Sequence, residues 1–260
     1  MLIALDGPTA NVFGYLLPAY PLLIGTACAV TALLVLALYA GVWAPQRVAT
    51  MTLVMAAAAI AAGRVEYVLY NARFFAGDAG QAFNVASGGL EPRLALLAAV
   101  GVGAVWTRRA DKPLRPLLTA LGAGLPLIAF AAWWGCAAAS CAYGVEVDNL
   151  QNYPAWQVWE AAGEYLMVAP RYAVQPLGMA ASAVTIAVVL GLCALGVRGA
   201  RLLMAAVILC FAGSAVLGGL RGDPALMLAG LRADRWADLA ACTAGVAVWI
   251  VKRRSRIRTA

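Results

Sequence analysis

The chain has 260 residues, 64% of them hydrophobic and only 12% charged, with a mean hydropathy of +0.83. A fold covered by water carries charge on about a quarter of its residues, so this chain reads as a polytopic membrane protein, and collagenous, disordered and disulfide-scaffold classes are excluded. Histidine is absent, which removes His-based triads and imidazole metal or haem sites, and the formal charge of +7 comes from cations at the edges of apolar runs, not from a nucleic-acid patch.

Met1 to Ala19 lacks the basic start of a secretory signal peptide and carries Asp6, so it is not read as one. A spanning helix needs about 20 mainly apolar residues. Seven stretches approach this, near Tyr20 to Trp43, Ala49 to Asn71, Leu94 to Trp106, Leu117 to Ala139, Gln175 to Val197, Leu202 to Leu220 and Trp236 to Val251. The third is the shortest and must begin earlier, near Gly88, which draws Glu91 and Arg93 into the membrane. The expected fold is all-α: one integral membrane domain, 1–260, with about seven transmembrane helices.

Lys and Arg in short loops are retained on the cytoplasmic side. Alternate connections hold Arg47, then Arg108, Arg109, Lys112 and Arg115, then Arg198 and Arg201, and last the tail with Lys252, Arg253, Arg254, Arg256 and Arg258, accompanied only by Asp111. The opposite connections hold Arg73, Arg171, Arg221, Arg232 and Arg235 with Asp78, Glu146, Asp148, Glu160, Glu164, Asp223 and Asp234. The N-terminus is therefore expected outside and the C-terminus inside. The outer connection 140–173 is too polar to span, and Tyr153, Trp156, Trp159 and Tyr165 recur at helical spacing, which suits an amphipathic segment at headgroup depth or a solvated loop with scattered aromatics.

Cys28, Cys193 and Cys210 lie in apolar runs and read as small buried hydrophobes. Cys136 and Cys141, spaced C-x4-C, read first as small packing residues, with a disulfide in an oxidising compartment as the alternative.

Arg64 and Glu66 fall inside the second apolar run, where an ionisable group costs roughly 2.5–3.5 kcal/mol unless it is paired or faces water. Arg64, Tyr67 and Asn71 share a helix face, with Glu66 and Tyr70 on the neighbouring stripe. A polar face implies a hydrated cavity; the alternative is that Arg64 and Glu66 pair with other spans and fix packing. Glu91 with Arg93, and Arg221 with Asp223, form two further groups at the outer ends. Several outer cations without a mid-membrane chain of acids favour an anionic lipid headgroup over a proton or cation pathway, since Arg can grip phosphate bidentately.

These motifs, in this order, resemble the prolipoprotein diacylglyceryl transferase family of the bacterial inner membrane. Gly63-Arg64-Val65-Glu66-Tyr67-Val68-Leu69-Tyr70-Asn71 resembles G-R-x-x-Y-V-x-x-N, and Gly88-Gly89-Leu90 the family's G-G-L. Gly135-Cys136 through Ser140-Cys141-Ala142-Tyr143-Gly144 is similar to G-R-I-G-C-F-x-x-G-C-C-Y-G. Arg171 with Gln175 is similar to R-H-P-x-Q-x-Y-E, Arg221-Gly222-Asp223-Pro224 followed by Trp236 to R-G-D-x-x-x-x-x-G-L-x-x-x-Q-W, and Tyr20 stands at the family's first-span tyrosine.

The resemblance implies a periplasm-facing lipid cavity and transfer of the diacylglyceryl group of phosphatidylglycerol to the lipobox cysteine thiol of a prolipoprotein signal peptide. Its product is a thioether, glycerol phosphate leaves, and no metal or soluble cofactor is implied. On that reading Arg93, Arg221 and Tyr20 are the catalytic candidates. Arg64, Glu66, Tyr67, Asn71, Tyr143, Gly144, Arg171 and Asp223 are expected to hold substrate, with Arg64 and Arg221 on the phosphate. The expected partners are phosphatidylglycerol, the prolipoprotein and other membrane lipids.

The sequence also departs from the family pattern. Arg93 stands where members have His, Trp133 for an Arg, Leu177 and Gly178 for Tyr and Glu, and Ser214 and Gly218 for the Arg and Glu of an R-x-x-x-E. A divergent enzyme with relocated cations and a catalytically degenerate lipid-binding homologue are both compatible with these changes. A transporter would show internal repeats or broken helices in two halves, and neither is present.

Overall fold

A computed structural model describes residues 3–13, 15–85, 88–163 and 167–257. Glu164, Tyr165 and Arg258, which entered the charge and aromatic patterns, lie outside the described residues.

Among the described residues, seven helices of 18 residues or more form the body: α1 (Ala19–Leu38), α2 (Pro45–Tyr70), α4 (Pro92–Arg109), α5 (Arg115–Ala139), α6 (Val174–Ala194), α7 (Ala200–Gly218) and α8 (Ala233–Ile257), with the single turn α3 (Ala72–Phe75) after α2. Proline starts α2 and α4 and sits in the first turn of α5, where its missing N–H removes no intrahelical bond. Five of the seven, α1, α2, α5, α6 and α7, are long and apolar enough to cross a membrane. The other two are set apart by charge: α4 carries Arg93, Arg108 and Arg109 in 18 residues, and α8 carries Asp234, Arg235 and Asp238 before its apolar stretch. The third run does not begin near Gly88. Gly88 and Gly89 take left-handed φ values of 82° and 78°, which end regular structure there, and the helix starts at Pro92.

The body is mostly helical, and among the described residues three small antiparallel sheets qualify the all-α expectation. One joins β1 (Ile3–Asp6), β2 (Thr9–Val12) and β3 (Tyr15–Pro18) ahead of α1; β4 (Val158–Ala162) pairs with β5 (Val168–Tyr172), and β6 (Met227–Leu228) with β7 (Leu231–Arg232). The helical reading of the aromatics after Ser140 is overturned with it. Tyr153 and Trp156 lie in turns, and Trp159 sits in β4 opposite Arg171. Aromatic and β-branched residues fit a pleated ribbon as readily as an interfacial helix, so their spacing alone misled.

α5 is the hub, packing against α1, α6 and α7, while α2 packs on α4 and α7 on α8. Small residues let backbones approach, as is usual where lipid removes the hydrophobic drive between helices. A Cβ on Gly122 would come within 2.7 Å of the Leu203 amide nitrogen of α7, and one on Gly124 would run into Thr31 of α1. At the basic end a cluster around Tyr39, Met51 and Leu117 is fixed by the Tyr39 hydroxyl donating to the Pro113 carbonyl at 2.7 Å. Leu33, Leu53, Leu97, Leu190 and Val216 point outward, a lipid-compatible belt. Cys28 belongs to that outer face and is not a buried hydrophobe, while Cys193 and Cys210 are half-buried.

Candidate functional site: a strand-capped arginine and carboxylate cluster

The N-termini of α1, α4, α6 and α8 and the C-termini of α2, α5 and α7 meet at the end opposite the basic loops, and most of the expected site residues gather there. α5 stops at Ser140, whose φ of 55° is left-handed, followed by Ala142 at 51°. A disulfide between Cys136 and Cys141 closes this turn, so the preferred reading of these cysteines as packing residues is corrected. The chain then runs extended as a bridging ribbon. On one side Val145 N–H donates to Leu220 O at 2.8 Å and Gly222 N–H to Tyr143 O at 2.8 Å; on the other Tyr172 N–H donates to Val145 O at 3.1 Å and Val147 N–H to Pro170 O at 2.9 Å. Tyr143, Gly144, Arg171 and Arg221, distant in sequence, are thereby locked into one layer. Gly144 has no room for a Cβ against the Tyr172 carbonyl.

Arg221 is held by Asp223 in a two-pronged pair, Nε to Oδ1 at 2.8 Å and Nη2 to Oδ2 at 2.6 Å, and its Nη1 donates to Asp234 Oδ2 at 3.1 Å. Burial alone would lower the Arg221 pKa; the hydrogen bonds and charge of Asp223, with Asp234 and Glu91, carry it upward, so the group stays cationic. Arg232 of β7 grips both carboxylates from the other side.

One turn further along α8, Asp238 accepts from Arg93 Nε at 2.8 Å. Arg93 Nη1 bonds Glu91, and Glu66 Oε1 lies 3.7 Å from the same nitrogen. Burial raises the Glu91 carboxyl, while the charges of Arg93 and Arg221 work against it. Tyr20 packs on Gly135, where a Cβ would meet its ring at 2.7 Å, and its phenol lies within electrostatic range of Glu91 and Arg221. The three catalytic candidates are therefore brought together around Glu91.

Arg64 is engaged differently. Its Nε donates to Ala82 O at 2.8 Å, Nη2 to Gln81 O at 2.6 Å, and Nη1 to Gly88 O and, at 3.2 Å, to Gly89 O. Its guanidinium stacks near the Tyr67 and Phe75 rings, 5.4 and 5.3 Å from their centroids. Four of its five N–H directions go to main-chain carbonyls, so in place of its expected role as a phosphate holder it clamps the connection between α2 and α4. Glu66 is structural as well, accepting the Leu94 N–H at 2.8 Å and so capping α4, and accepting the Tyr70 hydroxyl at 3.2 Å. Asn71 caps its own helix through the Tyr67 carbonyl at 2.9 Å, and Tyr67 supports Gly89 with its ring. Arg171 pairs with Glu146 at 3.1 Å and lies 5.1 Å from the Tyr143 ring centroid.

Asp238 and Arg232 escaped the sequence reading of the site. Asp238 carried a usable signal, an ionisable residue inside the seventh apolar run, the same feature that singled out Arg64 and Glu66. Arg232 carried none, because nothing local distinguishes it from an interfacial anchor.

The departures from the family pattern also acquire contacts. The Trp133 ring lies against Gly178, filling the place a side chain there would take. Gly218 faces Arg235, a Cβ there standing 3.7 Å from that of the arginine.

A mostly helical bundle with five membrane-length helices, whose charged side chains converge at one strand-capped end, defines a polytopic membrane protein with a polar site at one end. The chain belongs to the prolipoprotein diacylglyceryl transferase family, whose model matches residues 10–251. No curated protein matches it.

Proposed function

We propose that this protein is a phosphatidylglycerol–prolipoprotein diacylglyceryl transferase of the bacterial inner membrane. Its seven long helices all span, with the N-terminus and the 140–173 connection periplasmic and the C-terminus cytoplasmic. Family membership supports transfer to prolipoproteins at the level of reaction class. The observation that carries the finer reading is the pair of arginines, Arg93 and Arg221, anchored by carboxylates yet keeping donors uncommitted among the described residues. Arg93 uses Nε and Nη1 and leaves Nη2, and Arg221 leaves one N–H on each terminal nitrogen.

In the proposed reaction the cysteine Sγ attacks the glyceryl carbon next to the phosphate ester oxygen. The S–C bond forms, the C–O bond breaks with its electron pair passing to oxygen, and glycerol phosphate departs. The thiol, with a pKa of about 8.5, must first lose its proton, which ends on the departing phosphate monoester by way of water, and a cation near sulfur favours the thiolate. Arg93 serves that step. Arg221 faces the developing phosphate charge, where a fixed cation in a poorly solvated site acts most strongly. Tyr20 donates a hydrogen bond; Tyr143, Gly144, Arg171 and Asp223 shape and orient this end, and Arg64, Glu66, Tyr67 and Asn71 position it from α2. A lipobox peptide incubated with phosphatidylglycerol and the purified protein should gain a diacylglyceryl thioether with equal release of glycerol phosphate, and Arg221→Ala should cut the rate by about 10²-fold or more.

A second reading, a degenerate lipid-binding homologue, is favoured by one observation: around Arg93 stand Glu66, Glu91 and Asp238, three carboxylates to one guanidinium. Folded protein that retains phosphatidylglycerol but releases no glycerol phosphate would select it.

A further inference from the structure

α4 leans on α2, and its inward stripe, Gly103 and Thr107, is buried; a Cβ on Gly103 would run into Leu117 and Met55. The opposite face is uncovered. Gly101, Val105 and Arg109 recur there at i, i+4 and i+8, all three exposed. With Val102, Trp106 and Ala110 they line a groove of about 570 Å³, at the end of the bundle away from the arginine and carboxylate cluster. Ligand pockets have volumes of about 300–1,000 Å³. Val102, Trp106 and Ala110 form the floor, backed by the cluster around Tyr39, Met51 and Leu117. Over Gly101 the space is open, since a Cβ there would meet nothing within 4 Å.

The described lining is apolar except for Arg109 at its basic end. Among the described residues no carboxylate or carbonyl pairs with that guanidinium, and the residues beside it are Arg108, Lys112 and Arg115 against the single acid Asp111. The helix dipole favours a cation at a C-terminus, but Arg108 on another face meets that need, and Arg109 alone closes the groove. Depth adds a second argument. The 18 residues of α4 run about 27 Å, less than the roughly 30 Å of a hydrocarbon core, and tilt shortens the reach further. With Arg93 tied to Asp238 at the outer end, Arg109 stops short of the inner headgroup plane. A cation there without a counter-charge is costly, and an anionic headgroup drawn in beside it relieves that cost.

We propose that this groove binds an anionic phospholipid of the leaflet on the basic side, one acyl chain lying along Gly101 and Val105 over Trp106 and the headgroup phosphate on Arg109. The depth argument rests on the proposed span of α4. The groove is separate from the site of transfer, and its occupancy does not need the reaction.

The test uses the full-length chain in nanodiscs doped with phosphatidylglycerol carrying a diazirine in one acyl chain, irradiated and then digested with trypsin. Peptide 94–108 reports the groove. It should be labelled at least about fivefold more by this probe than by the phosphatidylcholine probe with the same chains. Arg109→Gln should cut the labelling by at least about fivefold, and Gly101→Phe, which fills the open space without a clash, should cut it comparably. Arg198→Gln removes the same charge from the same end and should leave it unchanged. If Gly101→Phe does not fold, Arg109→Gln decides. Equal labelling by the two probes, wild-type labelling in either folded groove variant, or a matching loss in Arg198→Gln would overturn the proposal. So would an unlabelled peptide that cross-links to a second copy of the chain, which would give this face to a dimer. Labelling that depends on Arg109 in protein releasing no glycerol phosphate would leave the groove standing and sink the transfer reading, and transfer by protein whose peptide stays unlabelled would do the reverse.

Discussion

Arg64 and Glu66 are neighbours on α2 and both buried, yet each is tied to the α2–α4 connection by a different logic. Arg64 satisfies four carbonyls, and replacing it strands them, at about 1–3 kcal/mol for each one left without water. Arg64→Met should therefore lower the thermal midpoint in detergent strongly, and lose activity in step with lost fold and not through KM. Glu66→Gln keeps an oxygen for the Leu94 N–H and should be milder than Glu66→Ala, which removes the cap at a cost of roughly 1 kcal/mol. The departures Trp133 and Gly178 touch, so they should behave as one unit. Gly178→Glu alone drives a carboxylate into the indole and Trp133→Arg alone buries an uncompensated cation, each costing at least about 2 kcal/mol. The double variant should recover a coupling of about 1 kcal/mol or more, measured as a double-mutant cycle in thermal unfolding; strict additivity would show that the two sites are independent.

Among the elements, the C-terminal end of α5 controls the site through the Cys136–Cys141 turn. Two left-handed non-glycine residues, Ser140 and Ala142, are held inside or beside this five-residue closure, and such conformations cost about 1–3 kcal/mol each unless the surroundings enforce them. A loop this short contributes roughly 2 kcal/mol in the chain-entropy account. Reduction, or Cys136→Ser with Cys141→Ser, should lower stability by about that amount and loosen the ribbon that carries Tyr143 and Gly144. Hydrogen exchange at the Val145 and Gly222 amides, which bridge α7 to that ribbon, reads the loosening directly. Unchanged protection there would show that the ribbon stands without the bond.

For the molecule as a whole, the positive-inside asymmetry makes a topological prediction. Reporter fusions after Ala110 and after Arg258 should read cytoplasmic, and fusions near Asp148 periplasmic. A cytoplasmic signal near Asp148 would invert the bundle and put the arginine cluster in the wrong leaflet for a periplasmic thiol.

The sequence by itself determined the membrane class, the positions of the long helices and the family resemblance. Apolar run length is dictated by bilayer thickness, and the motifs lie within short windows, so both are local properties. It also singled out Arg93 and Arg221, because an ionisable group beside an apolar run is conspicuous without knowing its partner, and Tyr20 through the family resemblance. What it could not decide was which charge meets which. Whether Arg64 faces a ligand or the carbonyls of residues 81–89 depends on how an irregular connection folds back, and the ribbon joining Tyr143, Arg171 and Arg221 is made of backbone bonds between segments with no shared periodicity. The helical spacing of Tyr153, Trp156 and Trp159 gave way to turns and a hairpin, because β4 pairs with β5, the strand that follows it. Only the tertiary structure decided that Arg93 is met by Asp238, since ion pairing is set by the packing of helices far apart in the chain and by the cost of leaving charge unpaired out of water.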